Sequence, residues 1–182
     1  MGIQIAEKQL QQNIHHYLER WFYVESEVWS DCHKKRIDIA MIHKSDIAAK
    51  YPFGIEIKTN DKKTGSDTGK WLHQAQSYSS YSFENYGKMM ILVAPQISGK
   101  VLAEGELMDK HPLYDGTLLA CQYNVNTFLA QFNIGELQRY TFDDYKTHAK
   151  RDFLRIVFNG SLIWDQRTDE LRTSNYERLC KR

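Results

Sequence analysis

Apolar and polar positions recur along this chain with two periods, one helical and one strand-like. Over residues 4 to 22, Leu10, Ile14, Leu18 and Trp21 return at spacings of three and four. That single apolar stripe predicts an amphipathic helix. Glu7 falls on the same stripe, one turn before Leu10, while Glu19 lies off it. A carboxylate on an inward face calls for a partner; the plainer reading is a first-turn acid favoured by the helix dipole. Residues 22 to 29 and 36 to 42 read as paired strands joined by the polar turn Ser30-Asp31-Cys32-His33-Lys34, and residues 53 to 59 as the next strand. The polar, glycine-bearing stretch from Asn60 to Lys70 reads as a mobile loop leaving that strand. A helix is predicted from about Lys70 to Phe83, with Gln74 and Tyr78 four apart on the face of Trp71. Met89 to Ala94 is an apolar run stopped by Pro95, a buried strand.

The second half is less regular. Leu118 to Tyr123 and Thr127 to Phe132 are strand-like patches that could extend a sheet. Phe153 to Trp164 reads as a hairpin about Asn159-Gly160, a type I′ turn signal. From Thr168 onward a short polar helix is expected. The whole predicts an α/β fold with the core order αβββαβ, a mixed central sheet flanked by helices, and C-terminal hairpin elements added to it. A chain of 182 residues fits one domain, its core at about 4–95 and its extension at about 96–182.

Chemistry concentrates in Gly54-Ile55-Glu56-Ile57-Lys58 and in Arg36-Ile37-Asp38-Ile39 upstream of it. On a strand, positions two apart share a face, so Glu56 and Lys58 point together and Ile55 and Ile57 point away. Asp38 has a similar frame, with Ile37, Ile39 and Met41 on one face and Arg36 and Asp38 on the other. Neighbouring strands could bring Asp38, Glu56 and Lys58 together, two carboxylates beside an ammonium. Such a set can hold a hard divalent cation and position a water next to it. The competing reading is a half-exposed strand whose Glu56 and Lys58 form a solvated ion pair worth little. The flanking Phe53, Ile55 and Ile57 speak for a central strand, where a charged pair needs a reason.

The order and chemistry of these residues resemble the PD-(D/E)XK nuclease superfamily, with Asp38 in the place of the first acid and Glu56-Ile57-Lys58 in that of the acid-X-lysine tripeptide. The proline that often precedes the first acid is replaced by Ile37. Gln74-Ala75-Gln76-Ser77-Tyr78 resembles the Gln-x-x-x-Tyr element of exonuclease-like and repair-type members, and Glu7 the extra acid of the first helix. The resemblance covers roughly residues 5 to 95. It implies the restriction-endonuclease-like fold and metal-assisted phosphodiester hydrolysis. Asp38 and Glu56 would bind Mg2+, with Mn2+ able to substitute, aided by the Ile57 carbonyl and by Glu7. Lys58 would steady developing charge. Gln74 would fix Lys58 or the scissile phosphate, and Tyr78 would touch the nucleic-acid backbone. The substrate implied is DNA, cut by an enzyme of phage, mobile-element or repair type. An RNA-cleaving member and an inactive nucleic-acid-binding or assembly module share the same residues.

Composition adjusts this reading. A net charge of +1 counts against a protein that coats nucleic acid, but a nuclease site must itself be acidic. Basic residues are local: His33-Lys34-Lys35-Arg36, and Lys62, Lys63 and Lys70, which are expected to contact phosphates at the mouth of the site. No apolar run approaches the length of a membrane span, and no signal-peptide pattern opens the chain. The 3 scattered cysteines, Cys32, Cys121 and Cys180, predict reduced thiols and a cytoplasmic setting. A homodimer or association with other DNA-processing proteins is compatible with all of this. His15, His16, His33, His43 and His73 lack zinc-ligand spacing, and no phosphate-cradling glycine pattern or nucleophile elbow occurs.

Overall fold

The computed structural model describes residues 7–57, 67–93, 129–144 and 149–180. The predicted strand at Leu118–Tyr123, the loop residues from Asn60 to Ser66, and Lys58, Lys62 and Lys63 lie outside them. Helix α1 (Glu7–Leu18) leads into strands β1 (Phe22–Trp29), β2 (Arg36–His43) and β3 (Phe53–Glu56). Helix α2 (Asp67–Tyr78) returns the chain to β4 (Met90–Val93). Then come β5 (Ile134–Asp144), β6 (Ala149–Phe158), β7 (Ser161–Asp165), β8 (Glu170–Leu171) and helix α3 (Thr173–Cys180). The first six elements have the predicted αβββαβ order. The strands form one 8-stranded mixed sheet in chain order from β1 to β8. β3 runs parallel to β4 and β4 to β5, and the other neighbours pair antiparallel.

Two apolar layers cover the sheet. On one face Leu10, Ile14 and Leu18 of α1 pack with Ile39, Met41, Phe53, Ile55 and Leu92, and the layer continues to Trp164 and to Tyr176 of α3. On the other, Leu72, Ala75 and Tyr78 of α2 pack with Ile91, Val93 and Ile134. Period-two alternation accounts for this: in β3 and β4 alternate residues supply alternate layers, so a four-residue strand buried on both faces reads as an apolar run. Gly54 is a glycine because α2's face leaves no room there. A Cβ would stand 2.5 Å from Ile37 Cδ1 and 3.1 Å from Ile91 Cδ1.

Several boundaries differ from expectation. α1 stops at Leu18, where Trp21 N–H closes a turn on the Leu18 carbonyl and Phe22 starts pairing with His43. Trp21 is therefore off the helix, set against Tyr17 and Trp164. α2 starts at Asp67, three residues before the expected Lys70, and it ends at Tyr78, not Phe83. There the hydroxyls of Ser77, Ser79 and Ser80 bond carbonyls three residues back, a local competition that weakens helix continuation. The chain then pairs with the end of β1, Glu84 N–H donating to the Trp29 carbonyl. Residues 129–132, expected within the strand-like patch Thr127 to Phe132, form a helical turn closed by Asn133 at φ 60°. The predicted hairpin is present, with Asn159 at φ 47° and Gly160 at φ 74°, the pair of left-handed residues that a type I′ turn needs.

One departure shapes the site. Ile37 was expected on the face of Ile39 and Met41, but it packs with Ala40 in the α2-side layer, as does Val28 from β1. Both strands change face at one place. Glu27, flanked by the pairs Ser26–Ile39 and Val28–Ile37, has φ 63° and stands opposite Asp38. A left-handed residue in a strand interrupts the pleat, and Asp38 lies at the interruption.

Candidate active site

Asp38 and Glu56 meet where the β2–β3 ladder ends. The pairs Ala40–Gly54 and Ile39–Ile55 are its last, and one step further the same register sets Asp38 opposite Glu56. The backbone does not pair there. Instead the Asp38 carboxylate accepts the Ile57 N–H at 2.7 Å. A charged acceptor makes this a strong bond, and it holds the peptide after Glu56 against β2. Glu56 is 3% exposed.

Helix α2 brings the other half. Gln74 and Tyr78 are one turn apart, and Gln74 Nε2 donates to Tyr78 Oη at 2.7 Å. Tyr78 is buried beside the two acids. Burial first, then the Glu56 charge and more weakly that of Asp38, push its phenol up to about 12. The hydroxyl therefore keeps its proton in the presence of both carboxylates. Four residues singled out in sequence, Asp38, Glu56, Gln74 and Tyr78, thus converge from β2, β3 and α2.

Asp38 also opens onto a cleft of about 830 Å3 between α1 and the β1–β2 hairpin, shared with Glu7, Lys8, Gln11, His15, Glu27 and Arg36. Glu7 is exposed on its wall, not inward as its stripe position suggested. The inward polar residue is Gln11, a position the sequence reading passed over. Its Nε2 donates to the Asp38 carbonyl at 2.7 Å and to Glu27 Oε1 at 2.8 Å. Its signal was present: Gln11 stands three before Ile14 and seven before Leu18, on the buried side. Arg36 pairs with Glu27 at 2.7 Å across the hairpin.

Glu136 was also missed. It is fully buried on β5, in the row that runs from Glu56 through Val93. Gln138 beside it receives the Arg155 Nε–H at 2.6 Å. Of the remaining candidates, Lys70 is exposed on α2, and Lys58, Lys62 and Lys63 fall outside the described residues.

The donors at the ladder end are carboxylate oxygens. Among the described residues no three His, Cys, Asp or Glu side chains stand close enough to form a ligand cluster. Two carboxylates are donors of the kind that Mg2+ takes, one or two of them with several waters kept. Among the described residues no helix is long and apolar enough to cross a membrane.

No family model, curated protein or solved structure matches the chain.

Proposed function

We propose that the chain is a metal-dependent nuclease that hydrolyses phosphodiester bonds in DNA, built on the restriction-endonuclease-like plan. The observation that carries this reading is the convergence of Asp38 and Glu56 at the open end of an antiparallel ladder, with Gln74 and Tyr78 over them, on elements in the order α1-β1-β2-β3-α2-β4. Asp38 and Glu56 would hold Mg2+ or Mn2+, with the Ile57 carbonyl and Glu7 as further donors. When bound, the ion supplies a water of lowered pKa and neutralises charge on the phosphate. The protein's own groups do the positioning. Asp38 fixes the Ile57 peptide, and so the start of the segment that carries Lys58. Lys58, two residues beyond Glu56, steadies the charge that grows on the phosphate oxygens. Tyr78 stays a neutral hydroxyl beside Glu56, held by Gln74.

The test is incubation with labelled single-stranded, double-stranded and branched DNA, and with RNA of the same sequence, in Mg2+, Mn2+ or EDTA. Metal-dependent DNA cleavage that is absent in EDTA and in Glu56→Gln is expected. Cleavage of RNA alone would move the substrate class. No cleavage of any substrate, together with no Mn2+ affinity, overturns the reading.

A further inference from the structure

The tip of the β1–β2 hairpin presents an aromatic ring among cations, beside the cleft that holds Asp38. Trp29 is 41% exposed, one of few large apolar side chains left in water among the described residues. Arg36, its cross-strand partner, lies over the ring at 5.5 Å, and the His33 ring is tilted toward it at 6.2 Å. Lys34 is exposed next to them, and Lys35 half-exposed. From Ser30 to Arg36 the chain carries Lys34, Lys35 and Arg36 against the single acid Asp31, and the His33 ring stands 3.4 Å from Glu84. The tip is also braced. Ser30 is fully buried, exchanges bonds with the Lys35 backbone, and accepts the His33 N–H, while Glu84 N–H holds the Trp29 carbonyl. A rigid platform loses little freedom when a ligand lands on it.

We infer that this hairpin tip is a binding platform for single-stranded nucleic acid, with Trp29 stacking on an unpaired base and Lys34 and Lys35 meeting the flanking phosphates. The inference rests on the nuclease reading for the neighbouring site, since Arg36 lines the same cleft as Asp38. Each part has a physical reason. An indole offers area to any base face, but only an unpaired base can reach it, so the ligand must be single-stranded or frayed. The lysines give attraction without sequence, and the Arg36 guanidinium, over the ring and paired with Glu27, holds the indole in place. A cross-strand Trp–Arg pair could instead serve only to close the hairpin. That role predicts an effect on stability and none on a ligand's bases.

The experiment is fluorescence anisotropy in EDTA, with labelled oligodeoxythymidine, an abasic strand of the same length and a duplex. It compares the full chain with Trp29→Ala, Trp29→Phe and Lys34→Ala/Lys35→Ala. Trp29→Ala should weaken oligodeoxythymidine binding about tenfold, and Trp29→Phe should keep most of it. The abasic strand should bind the full chain and Trp29→Ala alike. The lysine pair should flatten the salt dependence by up to about two charge units. Melting temperatures show that each variant is folded. Equal affinity of the full chain and folded Trp29→Ala for oligodeoxythymidine overturns the platform, as does an equal loss on the abasic strand. The outcome separates from that of the nuclease reading. Binding as described without any metal-dependent cleavage removes the nuclease and keeps the platform. Cleavage with single-strand affinity blind to Trp29 removes only the platform.

Discussion

The Asp38 carboxylate accepts the Ile57 backbone N–H at 2.7 Å, so the acid offered as a metal ligand is also the acceptor that ends the β2–β3 ladder. The two roles need different things from the side chain. Metal binding needs the negative charge, whereas the ladder end needs only an oxygen in the right place.

That difference gives the first prediction. Asp38→Asn keeps an acceptor oxygen and should leave the melting temperature within a few degrees, while cleavage falls by several orders of magnitude. Asp38→Ala orphans the Ile57 N–H as well and should cost about 1–3 kcal/mol of stability. Glu56→Gln should resemble Asp38→Asn. Denaturant unfolding and a Mg2+ cleavage assay measure the two effects separately. Full activity of Asp38→Asn in Mg2+ sinks the site assignment.

Gln11 ties helix α1 to the same place, through the Asp38 carbonyl and Glu27. Gln11→Ala should cost about 2 kcal/mol, one hydrogen bond to a neutral acceptor and one to a carboxylate. Gln11→Glu should cost more, since it brings a third carboxylate toward Glu27 and Asp38. Urea unfolding of both variants checks the order. An unchanged midpoint for Gln11→Glu would show that the amide contributes nothing there.

Much of this was legible because it is local. The β1–β2 pair, the type I′ turn at Asn159-Gly160 and the face shared by Gln74 and Tyr78 follow from period and turn chemistry alone. The acids at Asp38 and Glu56 stood out because a charge in a run that reads as a central strand needs a reason. What escaped depends on partners far along the chain. The reversal at Glu27 is a backbone angle that glutamate does not advertise. Glu136 joins the row of Glu56 only because β5 adds parallel to β4. The early end of α2 reflects serines bonding backward and a chain segment recruited by β1, neither of which apolar spacing reports.

Gly54 tests the packing that supports the site from below. A methyl there would sit 2.5 Å from Ile37 Cδ1, 3.1 Å from Ile91 Cδ1 and 3.2 Å from Met89 Cε. Gly54→Ala should destabilise by about 1–3 kcal/mol through overpacking. Ile37→Val removes the nearest methyl and costs about 0.5–1.5 kcal/mol alone. The double variant should therefore be more stable than the sum of the two losses. A strictly additive double-mutant cycle would mean the strain is relieved elsewhere.

Tyr78 makes the site visible to pH. Its phenol is held near 12 by burial, then by the Glu56 charge, against about 10 in an unfolded chain. The neutral form is favoured on folding, so the contribution is fully present below pH 10. As pH rises from about 10 to 12 the unfolded chain sheds this proton and the folded chain keeps it, so stability falls across that window. Tyr51, raised by its bond to Glu177, and Tyr86, raised by burial, slope the same way. The total decline is therefore not diagnostic, and the difference between the native chain and Tyr78→Phe is. Tyr78→Phe should be less stable at pH 8, because Gln74 loses its acceptor, and its stability should decline less steeply above pH 10. The two curves should converge as the window is crossed. Urea midpoints taken at intervals from pH 8 to 12 give the comparison. Parallel curves would mean that Tyr78 titrates as an ordinary phenol, and that the Glu56 carboxylate does not stand against it.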